Sequence, residues 1–274
     1  MSVPVPRLKG VLLAGGGGTR LFPITLVTNK HLLPVYDRPM VMWPLETLRE
    51  MGAREVLVVV GGRSVGDMLE LLHDGSDLGL DLTFRYQRGA LGIAHAIGLA
   101  RQFAAGDPIA VMLGDNVIHG SLRDFAVEFV GSDAEAGAVL KRVPDPERFG
   151  VAEFDDAGRI VRFEEKPRQP KSDLIPIGVY LFRKSVFEVL PTLRPSARGE
   201  FEITDVLNHY LERGSLISHV WEGGWTDAGT IESLLEATQL AATFAGELPP
   251  PGPIDRLGEV DAEHPPFQQQ GGDD

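Results

Sequence analysis

Cysteine is missing altogether from the 274 residues. That absence removes disulfide scaffolds, thiolate nucleophiles, Cys-ligated zinc and iron–sulfur clusters together. Long apolar runs are missing too. The longest, EVLVVV (55–60) and IAVMLG (109–114), are strand-sized, whereas a bilayer span needs about 20 apolar residues. The opening MSVPVPRLKG lacks the apolar core of a signal peptide. Cations are in the minority: 26 Lys and Arg against 39 Asp and Glu leave a net charge of −13. This excludes a uniformly basic nucleic-acid-binding surface and leaves room for a locally basic pocket. The seven histidines show neither H-E-x-x-H nor paired spacing, so a zinc enzyme has little support. These absences lead us to expect a cytoplasmic protein with no membrane and no nucleic-acid partner. What is present, 43% hydrophobic and 24% charged residues, suffices for a sizeable core in one large or two small domains.

In the first half, Val- and Leu-rich runs alternate with amphipathic stretches, with Gly or Pro between them, which predicts an α/β fold with a parallel sheet. Strands are expected at 8–14, 55–60, 80–86 and 108–113. Pro44 suits the first turn of a helix whose Leu45, Leu48 and Met51 share a face and whose stop is Gly52. Ile93, Ile97, Ala100 and Ala104 mark another at helical spacing. Ligand sites in such folds lie at the carboxyl ends of the strands. After about residue 136 strand-like pieces follow one another: AGAVLKRV, FGVAEFD, RIVRFEEK and IPIGVYLF. DDAGR (155–159) reads as a hairpin turn, so this half adds antiparallel strands. Helices return at ITDVLNHYLERG and IESLLEATQLAATFAG, and residues 247–274 have the composition of a flexible Pro/Gly-rich tail.

The most informative stretch runs from Leu12 to Met40. Gly15, Gly16, Gly17 and Gly18 follow a buried strand, where bare backbone N–H groups and positive φ angles let the chain approach an anion. Thr19, Arg20 and Lys30 add a hydroxyl and two cations, so the loop reads as a triphosphate cradle. It is not a P-loop, which needs Lys then Ser or Thr after its last Gly. Nor is it a dinucleotide fingerprint, which wants Gly or Ala where Arg20 stands. In LGDN, Asp115 follows a strand end, beside the glycine loop, where a carboxylate is ready to hold Mg²⁺ against phosphate oxygens. FEEKP brings Glu164, Glu165 and Lys166 to a strand end. Arg198 in PSARGEFEITD is an anion donor, and Asp227 in GWTDAGT is flanked by small residues that leave room for a ligand.

A competing reading comes from Gly62-Arg63-Ser64-Val65-Gly66, which matches the G-x-S-x-G nucleophile elbow between a strand and a helix. On it the chain is a serine hydrolase with Ser64 as nucleophile and His119, His209 or His219 as base. The simpler reading has Ser64 capping the helix DMLELLH.

Taken in order, KGVLLAGGGGTRLFPIT, NKHLLPVYDRPM, LGIAHAI, LGDN, DPERFGVAEFD, EEKP, PSARGEFEITD and TDAGT resemble the sugar-1-phosphate nucleotidylyltransferases. The likeness is greatest to members that join dTTP to glucose 1-phosphate. It implies a GT-A-like fold of the nucleotidyltransferase type: a Rossmann-like, mostly parallel central sheet flanked by helices, with an antiparallel or mixed sugar-binding part. One domain over 1–246 would comprise a nucleotide-binding half (1–135) and a sugar-phosphate-binding half (136–246). The implied reaction yields dTDP-glucose and pyrophosphate for deoxysugar or polysaccharide precursors, with UTP or another triphosphate as the alternative donor. A ring methyl is worth only about 1 to 3 kcal/mol in a pocket, so base choice is read less firmly than the reaction. Carried over residue by residue, Gly15 to Thr19 would wrap the phosphates, and Arg20 and Lys30 would neutralise pyrophosphate and the reacting centre. Gln87 and Gly92 would read the base, and Asp115 and Asp227 would hold Mg²⁺. Asn116, Gly150, Glu165, Lys166, Tyr180 and Arg198 would position the sugar phosphate. A homo-oligomer is also implied. The chain departs from the family pattern at Gly17, where Ser is frequent, at His31, where Gln is, at Ala228, where Thr is, and in its shorter C-terminus.

Overall fold

The computed structural model describes residues 7–62, 64–89 and 91–244; the expected 247–274 tail lies outside the described residues. Along the chain, β1 (Lys9–Ala14) leads through three short 3₁₀ turns to a small hairpin, β2 (Pro34–Val35) and β3 (Arg38–Pro39), and to α1 (Met42–Glu50). Next come β4 (Glu55–Val60), α2 (Val65–Leu72), β5 (Asp81–Tyr86), α3 (Ile93–Gly98) and α4 (Arg101–Ala104). β6 (Ile109–Leu113), β7 (Asn116–His119) and α5 (Arg123–Gly131) follow. The second half holds β8 (Ala136–Arg142), β9 (Gly150–Phe154), β10 (Ile160–Glu165), β11 (Leu174–Phe182), α6 (Val186–Val189) and α7 (Ile203–Glu212). It ends with β12 (Leu216–Val220), β13 (Gly224–Asp227) and α8 (Ile231–Phe244).

Seven strands form the central sheet in the order β12-β8-β11-β6-β1-β4-β5. β6, β1, β4 and β5 are mutually parallel, and β11 runs antiparallel to both its neighbours. The α/β expectation, a mainly parallel sheet with a mixed second half, holds. Alternation along the strands sorts the core into two layers. Leu12, Val58 and Met112 meet α1, α2 and α5 on one face, while Val11, Val59 and Val111 meet α3, α4 and α7 on the other. Each such side chain fully buried stabilises by about 1.5 to 3 kcal/mol. A third cluster seats Ala237, Ala241 and Phe244 of α8 on Leu21, Val35 and Val117.

The expected helix marked by Ile93 and Ala104 is interrupted. Near Gly98 the bonds shorten to three-residue spacing, Leu99 N–H to Ala96 and Ala100 N–H to Ile97, as suits a glycine that weakens a helix interior. The four strands β1, β4, β5 and β6 and the 155–159 hairpin stand as expected, whereas α5, β7, β12 and β13 were not anticipated. β7 and β13 form an antiparallel ribbon pairing Asn116 with Asp227, and β9 and β10 another pairing Gly150 with Glu165. Both ribbons lead into the site.

Candidate active site

Leu13 and Leu113 are register partners in β1 and β6, and the Gly114 N–H donates to the Leu13 carbonyl at 3.0 Å. The glycine loop and Asp115 therefore leave adjacent strand ends together. Gly18 has φ +64°, and a Cβ there would lie 2.9 Å from Thr25 and 3.1 Å from Lys30; only glycine closes this turn without strain. Gly17 has nothing within 4 Å of such a Cβ, which explains how this position departs from Ser without structural cost.

Two cavities open here. One, of about 230 Å³, is lined by Gly15, Gly16, Lys30, Gln87, Gly92 and Asp115 among others. The second, of about 190 Å³, is lined by Arg20, Asn116, Gly150, Glu165, Lys166, Tyr180 and Asp227 among others. Ile93, Leu113 and Asp115 belong to both walls. Gly17, Gly18 and Thr19 line neither, and Arg198 stands behind Glu165 rather than in the wall.

At the junction the Lys30 Nζ lies 2.5 Å from an Asp115 carboxylate oxygen. Burial alone would raise the Asp115 carboxyl, but the Lys30 ammonium overrides it and holds the pKa at about 2. Asp227 reaches the same place through the β7–β13 ribbon and the 2.7 Å bond from the Ala228 N–H to the Asp115 carbonyl. Its carboxyl is pushed up, first by burial and then by the Asp115 charge. A Cβ on Gly229 would sit 2.9 Å from both an Arg20 guanidinium nitrogen and an Asp227 oxygen, so a glycine keeps this contact open. Arg148 adds a guanidinium nitrogen 3.8 Å from Asp227 that is buried without a hydrogen-bond partner. His31, beside Lys30, is driven down to about 3 by burial and the lysine charge; its Nδ1–H donates to Asn29 at 2.7 Å. It is neutral and too weak a base to serve as one.

On the far side, Arg198 donates to Glu165 at 3.0 Å and to Glu202 at 2.9 Å. Burial, and then the Glu202 charge, raise the Glu165 carboxyl. Lys166 follows with φ +46°, a left-handed conformation rare for a non-glycine residue, anchored by its N–H on the Phe149 carbonyl at 2.9 Å. Gly150 leaves space that a Cβ would fill 2.6 Å from Thr204. Trp225 donates through its indole N–H to the Asn116 amide oxygen at 2.5 Å, fixing the Asn116 amide. The Tyr180 hydroxyl, 2% exposed as a residue, is pushed up by burial. Arg148, Glu202 and Trp225 went unassigned in the sequence. The signals were there: a cation two residues before Gly150, an acid four residues after Arg198, and an aromatic two residues before Asp227 on one strand face.

The nucleotidyl transferase family pattern matches residues 9–243. The chain belongs to that family. A low-salt glycan biosynthesis nucleotidyltransferase, Agl11 of Haloferax volcanii, is 43% identical over 85% of this nucleotidyl transferase and 66% of its own length. A glucose-1-phosphate thymidylyltransferase of Neisseria meningitidis is 41% identical over 86% of this chain and 83% of its own. A solved Bacillus anthracis structure, described as a glucose-1-phosphate thymidylyltransferase with bound sucrose, superposes with a TM-score of 0.81 at 44% identity, over 85% of this chain and 95% of that one.

The serine hydrolase reading is overturned. Ser64 occupies the N-cap of α2 with φ +61°, yet its hydroxyl makes no capping bond and none to a histidine among the described residues. The simpler reading placed it correctly but assigned it a bond it does not make. Arg63 lies outside the described residues, and no described helix is long and apolar enough to cross a membrane.

Proposed function

We propose that this nucleotidyl transferase joins dTTP to glucose 1-phosphate, releasing pyrophosphate and forming dTDP-glucose, in the cytoplasm where nucleoside triphosphates are made. The observation that carries the reading is Asp115 in the wall shared by two cavities, with Lys30, Arg20 and Asp227 around it. One cavity, drawing on residues 7–135 with Glu200 added from the second half, suits the nucleotide; the other, drawing mostly on residues 136–244, suits the sugar phosphate.

The sugar-phosphate oxygen attacks the α-phosphorus, a new P–O bond forms, and the bond to the β-phosphate oxygen breaks. A phosphate with a second pKa near 6 is already largely ionised at neutral pH, so no protein base is required. The obstacle is bringing two polyanions into line, which calls for positioning and cations. Arg20 and Lys30 neutralise the triphosphate, Gly15 to Thr19 present backbone N–H groups, and Gln87 and Gly92 hold the base. Asn116, Gly150, Glu165, Lys166 and Tyr180 orient the acceptor, and Arg198 acts from behind by holding Glu165.

The donor set fits Mg²⁺, which is held through one or two carboxylates plus substrate phosphates rather than by an all-protein cage. Asp115 and Asp227 supply the two carboxylates, and the Asp227 carboxyl, raised by burial and then by the Asp115 charge, is one that a divalent cation would relieve. No larger group of acidic or histidine ligands converges among the described residues. When bound, the cation offsets charge on the transferring phosphate.

The test is pyrophosphate release across a matrix of nucleoside triphosphates and sugar 1-phosphates. The highest kcat/KM is expected for dTTP with glucose 1-phosphate. Higher activity with UTP would change the base, and no release with any pair would overturn the reading.

A further inference from the structure

Gln87 directly follows β5 with its backbone N–H on the Val60 carbonyl at 2.7 Å, and its buried side chain lines the nucleotide cavity. A side-chain amide has one end that only donates and one that only accepts, and which end faces a base decides which base fits. The Gln87 Nε2 lies 3.3 Å from the Nδ1 of His95, on the first turn of α3. An amide nitrogen cannot accept, so Nδ1 does, and the imidazole is the neutral tautomer with its hydrogen on Nε2. That leaves the Gln87 Oε1 facing Gly15, where a Cβ would be only 2.6 Å away; the absent side chain is what gives the oxygen room.

We infer that His95 is a specificity-determining positioning residue, which holds the Gln87 amide with its oxygen toward the base and so selects pyrimidines that present an N3–H. This rests on the reading that Gln87 meets the base. Thymine and uracil both carry a hydrogen on N3 and match an acceptor there. Cytosine, seated in the same way, presents an N3 lone pair to the Gln87 oxygen and is repelled. Without an acceptor at residue 95 the amide is free to turn, and its NH₂ end then suits cytosine. His95 lines neither cavity and reaches the site only through Gln87, so its effect is confined to base choice.

The test measures dissociation constants of the full-length chain for dTTP, dUTP and dCTP, together with melting temperature. His95→Leu and His95→Phe both remove the acceptor, and His95→Asn restores one, because the Asn Oδ1 stands near the position of Nδ1. The dTTP preference over dCTP should fall by at least about 5-fold in Leu and Phe. It should return to within about 2-fold of the parent in Asn. The dTTP-to-dUTP ratio should stay constant throughout. Gln87→Ala is the control. If it lowers the preference while whichever of Leu or Phe folds leaves it intact, the His95 role is overturned and the Gln87 reading stands. If Gln87→Ala itself leaves the preference unchanged, the base reading falls and the His95 role with it. Equal weakening for all three nucleotides in Leu and Phe marks a merely structural His95 and also overturns the proposal.

Discussion

The two cavities that share Asp115 are walled by different materials. On the nucleotide side glycines open the wall: Gly15 and Gly16 expose main chain, and Gly92, at φ +92°, lies so close to Phe201 that a Cβ would be 2.5 Å from its carbonyl oxygen. On the sugar side the wall is side chains whose charges are answered from behind, with Arg198 joined to Glu165 and Glu202. Exposed main chain carries no titrating group of its own, and it fails sterically when a side chain is added. A charged wall tolerates changes of shape and responds to protonation and to the loss of a counter-charge.

The widest separation is expected at the junction. Asp115→Asn and Asp227→Asn should each lower turnover by roughly 100-fold or more, if they offset charge at the reacting phosphate. Their stabilities should diverge. Asp115 is lowered on folding from 3.8 to about 2, so its ionised form stabilises the fold by roughly 2 kcal/mol above the ordinary Asp range, an effect lost as pH falls toward 2. Asp115→Asn should therefore melt lower at pH 7. Asp227 is raised on folding, so the folded state binds protons that the unfolded chain releases, and ionising it opposes folding above its raised pKa. Asp227→Asn should melt no lower than the parent. Equal destabilisation of both variants in calorimetry would break the contrast.

Next in size, Gly15→Ala drives a methyl to within 2.6 Å of the Gln87 amide oxygen and should raise the KM for dTTP about 10-fold, leaving that for glucose 1-phosphate unchanged. Gly17→Ser enters open space and should change either constant by less than about 2-fold. Initial-rate kinetics with each substrate varied in turn would expose any crossover.

Arg198→Ala probes the charged wall. The KM for glucose 1-phosphate should rise by roughly 10-fold. The variant leaves Glu165 and Glu202 facing each other, and Glu165 is already raised by burial and by Glu202. A carboxylate raised on folding opposes the fold as pH climbs past its pKa, so the melting deficit should widen from pH 5 to pH 8. A deficit that narrows over that range would show that Glu165 is not the responsive group. Ser64→Ala should give the smallest change, within about 2-fold in every kinetic constant.

The same contrast sets what could be read from the chain. β1, β4, β5 and β6 are unbroken apolar runs with turn residues at their ends, a local signal strong enough to survive without tertiary information. The glycine loop was legible because backbone exposure demands glycine itself. β12 and β13 are short, mixed in polarity and half-buried, so they become strands only through partners far along the chain. Arg148, Glu202 and Trp225 carry ordinary surface or aromatic chemistry until folding brings them against Asp227, Arg198 and Asn116. The expected continuity from Ile93 to Ala104 failed at Gly98, where apolar spacing outweighed propensity in the reading but not in the molecule.

The β7–β13 ribbon also sets when the molecule becomes competent. Asp115 leaves the ribosome roughly a hundred residues before Asp227, an interval of several seconds at about 5 to 20 residues per second. Until β13 reaches β7, Asp115 has Lys30 for company but no second carboxylate. A nascent chain stalled between residues 115 and 227 holds the glycine loop yet lacks half of the paired acids. The pairing of the two acids therefore arrives as a late, single event in synthesis.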